Sequence, residues 1–353
     1  MRKKCVLFFI NSEVGGAERM SVLISKMLMQ AGHEVQYVII NEKENTTSII
    51  NFLPKDYKAF FVESKSHFDK LKQFYRLIKS IKPDVVFSSH YCINDKVLLL
   101  KPLFRKIKFI IRSDNYYFTF SWLEKTIIQL TYRMADVMIA QTQEMKDEFV
   151  SHRVMPLPKV IALDNPVDKE NIEKKVATSI SPYPKDNNKN IVAVGRFAYQ
   201  KGYDNLVQAF AILLEKHQNC CLYIVGSNEG KWKSEYDRVK ILIEKKNLEK
   251  YVYCVGYQDN PYSYIKYADC FVLSSRWEGL PNVLAEALYL RTPVAAFKCI
   301  PVIERMVRNH IDGYLAEKDD IKGLAAAMES SLTLGRTNPL YCGASSDDYV
   351  KLF

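Results

Sequence analysis

Nowhere in its 353 residues does the chain hold eighteen consecutive apolar positions, and a helix that crosses a bilayer needs about twenty. Its first apolar run, Cys5 to Ile10, is six residues long and stops at Asn11, Ser12 and Glu13. That is short for the apolar region of a secretory signal and reads better as a first strand. Eight cysteines and six histidines include no Cys-x-x-Cys pair and no histidine pair at metal-ligand spacing, which excludes the common zinc motifs and any disulfide framework legible from spacing. The cysteines are expected to be reduced thiols in the cytosol, with adjacent Cys220 and Cys221 packing a core. Gly-x-Gly-x-x-Gly and the P-loop are also missing. No acidic metal site is visible.

What is present is 48% hydrophobic and 25% charged residues, the balance of a soluble folded protein, in a chain long enough for two cores. The formal charge of +10 is unevenly placed, with 26 Lys and Arg against 19 Asp and Glu in residues 1–170. The window 65–108 holds 11 basic side chains against Asp69, Asp84 and Asp95, an excess that calls for solvent or an acidic partner. Residues 66–81 are expected to form a helix with Phe68, Leu71, Tyr75 and Ile78 on one side and Lys70, Lys72, Arg76 and Lys79 elsewhere. It reads as a solvated surface helix or as a contact with anionic lipid headgroups. A nucleic-acid partner would need a basic stripe with stacking aromatics, and it would leave unexplained the glutamates described next.

Fourteen residues, Ser274 to Ala287, organise the second half. Cys270–Leu273 reads as a buried strand, Ser274 and Ser275 open a loop, and a helix with Val283, Leu284, Ala287 and Leu288 on its apolar side is expected to start near Pro281. In an open α/β sheet this order aims the first free N–H groups of the helix at the carboxyl end of the strand, an anion site. Glu278 precedes the helix and Glu286 lies within it, so two carboxylates bracket that site. Carboxylates beside an anion are suited to accepting hydrogen bonds from neutral hydroxyls, and a phosphate flanked by hydroxyls has the pattern of a nucleotide-sugar.

Similar units recur. Strand Ile191–Val194 runs into Gly195-Arg196 and, five residues later, Lys201-Gly202; a guanidinium fork and an ammonium leaving one strand end suit a diphosphate. Strand Cys5–Ile10 leads to Gly15 and Gly16 and a helix through Met20, Ile24 and Leu28, where paired glycines admit close backbone approach. Asp84–Ser89 ends at His90, Phe109–Ile111 ends at Arg112, Ser113 and Asp114, and Met138–Ala140 is expected to be the last strand of the first half. Tyr116, Tyr117, Phe118, Phe120 and Trp122 form an aromatic run, read as core or as the lining of a path for a lipid-borne molecule.

The stretch Glu278 to Glu286, Val-Gly-Arg-x(4)-Lys-Gly at 194–202, Gly15-Gly16-Ala17-Glu18 and Asn165-Pro166-x-Asp168 together resemble the retaining glycosyltransferases of family 4, of the kind that builds bacterial polysaccharides and lipid-linked glycans. The resemblance is strongest over 190–317 and weaker over 1–168. It implies the GT-B fold, two Rossmann-like α/β domains facing across a cleft: an acceptor-side domain 1–168, a linker 169–189, a nucleotide-sugar domain 190–333, and an irregular tail 334–353 where relatives carry a long final helix. It implies Arg196, Lys201 and Glu278 as catalytic groups, and a donor pocket from Gly15, Gly16, Arg196, Lys201, Tyr257, Glu278, Gly279, Leu280, Asn282, Val283 and Glu286. Many relatives carry a histidine near the end of the strand Phe109–Ile111, where this chain has none; Arg112 or Asp114 stands in for it, and with His90 these are the acceptor-side candidates. The loop Lys298 to Pro301 stands where relatives have glycine. The reaction implied is hexosyl transfer, with retention, from a nucleotide diphosphate sugar, UDP-linked for preference, to a glycan or lipid-linked glycan, without metal or cofactor. The protein is placed in the cytoplasm, peripheral at the inner face of the membrane. The alternative within enzymes is another nucleotide-sugar reaction such as epimerisation.

Overall fold

The computed structural model describes residues 4–12, 15–40, 49–64, 66–338 and 340–353; Glu13, Val14, Lys65 and Pro339, used in the reading above, lie outside the described residues. The chain packs as two units, Met1–Pro166 with Ala344–Phe353, and Val167–Gly343.

The first unit is built on seven strands, β1 (Cys5–Asn11), β2 (Glu34–Ile40), β3 (Lys58–Val62), β4 (Val85–Ser88), β5 (Lys108–Arg112), β6 (Val137–Ala140) and β7 (Val160–Ala162). They lie in the order β3-β2-β1-β4-β5-β6-β7, every pairing parallel. Between them run α1 (Gly16–Gln30), α2 (His67–Ile81), α3 (Tyr91–Leu98), α4 (Trp122–Thr131) and α5 (Gln143–Ser151). A parallel sheet is covered on both faces by its crossovers, so its inner strands are continuously apolar, and Val6 through Ile10 are buried without a break.

The second unit begins with α6 (Lys169–Ala177) and repeats the plan with β8 (Lys189–Val194), β9 (Cys220–Val225), β10 (Val252–Gly256), β11 (Cys270–Leu273), β12 (Val294–Phe297) and β13 (Gly313–Ala316), ordered β10-β9-β8-β11-β12-β13 and again parallel. Its helices are α7 (Tyr203–Lys216), α8 (Lys233–Lys245), α9 (Pro261–Tyr267), α10 (Asn282–Tyr289), α11 (Val302–Met306) and α12 (Ile321–Ser331). Strand order reverses once in each sheet, between β1 and β4 and between β8 and β11, and a reversal opens a crevice at the carboxyl ends of the two strands.

Four expectations change. The strand Met138–Ala140 is not the last of the first unit, because β7 adds to it at the sheet edge. The stretch 169–189 is not wholly irregular: Asp168 caps α6 through Asn171 N–H, but Ile172 is the one buried residue of that helix, too few to leave a period. The tail is not irregular to its end. Ser345 and Asp348 form a reciprocal capping box that starts α13 (Ser346–Val350), and Tyr349, Val350 and Phe353 join the core around β1. Phe353 stacks on Phe8 with ring centroids 6.1 Å apart. Finally, α2 buries Phe74 and Ile78, leaves Leu71 and Tyr75 half-buried and puts Phe68 in solvent.

Candidate active site

The loops after β8 and β11 meet at the strand-order reversal of the second unit. Gly202 adopts φ of 62°, and a Cβ there would lie 2.3 Å from the Ser274 carbonyl oxygen, so only glycine lets the two loops touch. The Ser274 hydroxyl donates to the Lys201 carbonyl at 2.8 Å and Arg276 N–H to the Gln200 carbonyl at 2.8 Å. A Cβ on Gly195 would sit 3.1 Å from Lys201 Cε, so this glycine gives the lysine stem its room.

These contacts aim Lys201 at the second loop. Its Nζ donates to Oε1 of Glu278 at 2.7 Å, and the Ser275 hydroxyl donates to the same oxygen at 2.6 Å. The Glu278 side chain is 8% exposed and that of Lys201 16%. Around the pair, Tyr203 is buried with its hydroxyl on the Gly195 carbonyl at 2.7 Å; burial and then the Glu278 charge push its phenol upward. Cys299, in the loop after β12, has its thiol pushed up to about 12 by burial and by Glu278, with Lys201 pulling the other way. Arg196 stacks its guanidinium on the Trp232 ring, 4.8 Å from the centroid.

Helix α10 starts one residue later than its sequence suggests, at Asn282 with Pro281 as N-cap and no side chain capping it. Its first-turn N–H groups face outward by helical geometry. Gly279 and Leu280 are buried beneath it, while Asn282 and Val283 are half-buried. Glu286 accepts from the hydroxyl of fully buried Tyr262 of α9 at 3.3 Å. Tyr257 is exposed, just past Gly256, whose φ is 81°. Ser275, Trp232, Tyr262 and Cys299 therefore join the site from outside the residues first chosen. The usable signal for Trp232 and Cys299 was their place just beyond the strands β9 and β12.

In the first unit Gly15 is the N-cap of α1 and Gly16 its first residue. The Ser89 hydroxyl, at the end of β4, reaches the Ala17 carbonyl at 3.3 Å, which ties the two sides of that reversal together. His90 caps α3, its Nδ1 accepting from Cys92 N–H at 3.3 Å. Burial opposes a charge on this ring, but a hydrogen bond to Cys92 and the carboxylates of Asp114 and Glu18 together raise its pKa to about 9. The charges of Asp114 and Glu18 thus both act on the His90 ring. Arg112 has other partners: it is 1% exposed, bonds Asn165 Oδ1, and lies against Tyr349. Among the described residues no group of three or more His, Cys, Asp and Glu is placed to hold a metal ion.

Two parallel sheets with the same reversal, and a lysine–glutamate contact just ahead of a helix N-terminus, are matched at the family level. Residues 14–171 match the family described as Glycosyltransferase Family 4, and residues 177–340 that described as Glycosyl transferases group 1. The chain belongs to the GT-B glycosyltransferases. This glycosyltransferase is 34% identical over 255 residues to an uncharacterized glycosyltransferase of Methanocaldococcus jannaschii, covering 66% of this chain and 60% of that one. It is 27% identical to the amylovoran biosynthesis glycosyltransferase AmsD of Erwinia amylovora, covering 90% and 86%. It is 29% identical to the N-acetylgalactosamine-N,N'-diacetylbacillosaminyl-diphospho-undecaprenol 4-alpha-N-acetylgalactosaminyltransferase of Campylobacter jejuni, covering 66% and 62%. The first and third relatives are thus matched over less than two thirds of their length. Among solved structures, Anabaena HepE in complex with UDP and glucose superposes with a TM-score of 0.75 at 16% identity, covering 93% and 91%, a likeness of fold.

Proposed function

We propose that this glycosyltransferase moves a hexosyl residue from a UDP-sugar to a hydroxyl of a glycan or lipid-linked glycan, with retention at the anomeric carbon, at an anionic membrane surface of the cytoplasm. The observation that carries the reading is the Lys201–Glu278 contact at the strand-order reversal, beside the N-terminus of α10. A diphosphate seated there meets outward N–H groups and the basic groups Arg196 and Lys201. Lys201 is then shared between phosphate oxygen and Glu278, which is left with acceptor capacity for the sugar hydroxyls. Glu286, steadied by Tyr262, accepts from ribose hydroxyls, and Tyr257 lies beside the base. The bond from the anomeric carbon to the β-phosphate oxygen breaks while a bond to the acceptor oxygen forms on the same face. The acceptor proton passes to the departing diphosphate, whose charge Arg196 and Lys201 stabilise, so no protein nucleophile is required.

On the acceptor side, His90 with Asp114 and Glu18 is the group proposed to meet the incoming hydroxyl. Arg112 instead holds the Asn165 segment and the tail in place. The UDP and the lipid-linked glycan in this proposal are supported by what HepE binds and by the undecaprenol-linked substrate in the name of the Campylobacter relative.

The test is a panel of UDP- and GDP-sugars scored by thermal stabilisation, since a ligand at 100 times its dissociation constant adds roughly 2.7 kcal/mol. NMR of the anomeric proton in the product then follows. Stabilisation by UDP-sugars and an unchanged anomeric configuration support the reading. An inverted product, or turnover of the donor to an isomer without acceptor, refutes it.

A further inference from the structure

Helix α4 buries little of itself. Taking about 100° per residue, its interior stripe is Ile128 and Thr131, while Trp122, Leu130, Leu123 and Ile127 spread over an outward arc of roughly 140°. Trp122 is 80% exposed, Leu130 68% and Leu123 58%. Phe118, on the turn before the helix, is exposed as well, and so are Leu99 and Leu103 at the end of α3 and just beyond, the helix against which α4 packs. Apolar side chains this exposed, on one arc of a helix and on the helix it packs against, mark a face kept for contact with something.

Charge chooses the occupant. From Asp95 to Arg133 the chain has eight basic side chains against three acidic. One of the three, Glu124, is taken up in the Ser121 capping box at the start of α4. Arg105, Lys106 and Arg133 are exposed around the patch. A second copy of the chain would set this excess of positive charge against its own like, whereas an anionic bilayer neutralises it and accepts the apolar arc. A tryptophan at the rim of such an arc is at home in the headgroup region.

We propose that α4, with Phe118, Leu99 and Leu103, is the face by which this glycosyltransferase inserts into an anionic lipid monolayer. Helix α2 adds long-range attraction through Lys72, Arg76 and Lys79 but does not insert. The inference deepens the membrane-surface part of the proposed function and is independent of the transfer chemistry. Binding is therefore measured in the full chain carrying Glu278→Gln, so that a failure of the catalytic reading leaves the result interpretable.

The experiment is sedimentation with vesicles of phosphatidylglycerol and phosphatidylcholine in equal parts, and with phosphatidylcholine alone. The triple variant Trp122→Ser, Leu123→Ser, Leu130→Ser changes exposed side chains only, and its melting temperature is compared with the parent. It is expected to lose anionic-vesicle binding at least tenfold at 150 mM salt. Reversing Lys72, Arg76 and Lys79 to Glu is expected to slow association and flatten the salt dependence while leaving residual binding. Unchanged vesicle binding by the folded triple variant overturns the proposal. So does parental binding to neither vesicle type together with a dimer that the triple variant dissolves, which would make the face a self-association surface.

Discussion

Nζ of Lys201 and Oε1 of Glu278 are 2.7 Å apart although 77 residues separate them in the chain, and the contact closes one loop from each strand flanking the reversal of the second sheet. Two groups to which the proposed function gives separate duties, one toward phosphate and one toward sugar, are thereby held by each other. Pairing positions both and leaves their stability contributions entangled.

The first prediction separates stability from turnover. Lys201→Ala leaves a carboxylate buried without its cation, so it should cost on the order of 3 kcal/mol and also lower kcat at least about a hundredfold through the lost charge-assisted contact. Arg196 stacks on a ring at the surface, so Arg196→Ala should match that kinetic loss with little change in melting. The double variant Lys201→Met, Glu278→Gln should recover most of the stability and none of the rate. Denaturant unfolding alongside steady-state kinetics decides it, and near-normal rates in both single variants would sink the assignment.

The glutamates should divide their labour. Glu286 sits within α10 on Tyr262, and Glu278 in the loop on Lys201 and Ser275. Glu286→Gln is expected to weaken free UDP binding by calorimetry roughly tenfold, in line with a charge-assisted bond of about 1.5–3 kcal/mol. Glu278→Gln should leave UDP affinity within about twofold and depress transfer. Tyr262→Phe should follow Glu286→Gln in direction with a smaller effect. Equal losses of UDP affinity in both glutamate variants would contradict the division.

How much of this was legible follows from where information is dense. Inner strands such as β1 and β11 are buried on both sides and wrote themselves as unbroken apolar runs. Three edge strands, β3, β7 and β13, went unread because an edge has one neighbour and fewer buried positions; β3 buries only Val62. The site loops were readable because two glutamates, a glycine and a proline are packed into one stretch. Their partners Trp232, Tyr262 and Cys299 come from other loops and helices, and only folding gathers them. Apolar periodicity misleads at α2, where it cannot say which apolar face meets the core: Phe68 turned outward while Phe74 turned in, and the aromatic run leading into α4 divides likewise, Phe118 and Trp122 outward and Tyr117 and Phe120 inward. At five residues, α13 is too short to show a period, though its Ser345-x-x-Asp348 box was in plain view.

His90 gives a pH prediction with a definite sign. Its folded pKa, raised to about 9, lies above the ordinary 6.5, so the stability linked to its charge is fully present below about pH 6.5 and is lost as pH rises through about 9. The cap accepted by Nδ1 needs a lone pair there and so works against full protonation, which trims the effect without reversing it. His90→Asn keeps a good N-cap and removes the titration. The melting-temperature difference between parent and His90→Asn should therefore favour the parent at pH 6 and shrink by pH 9.5. A difference that stays flat or grows with pH would show that the Cys92 hydrogen bond and the carboxylates of Asp114 and Glu18 do not hold this ring charged.

The last prediction uses Cys299 as a reporter of the Lys201–Glu278 pair. A thiol reacts as its thiolate, and burial with the Glu278 charge pushes the Cys299 pKa up to about 12, so that a minute fraction is reactive at pH 8. Cys92 and Cys342 are exposed. Iodoacetamide at pH 8, followed by peptide mass spectrometry, should label those two well before Cys299. Glu278→Gln removes a charge that holds the thiol up and leaves Lys201, which pulls it down, so labelling of Cys299 should speed several-fold in that variant. Lys201→Met removes the opposite influence and should slow it further. Because Cys92 lies in the other unit, its rate should stay constant across all three proteins and serve as the internal standard. A Cys299 rate indifferent to both substitutions would mean that the loop after β12 does not border the pair, and the site would have to be rebuilt without it.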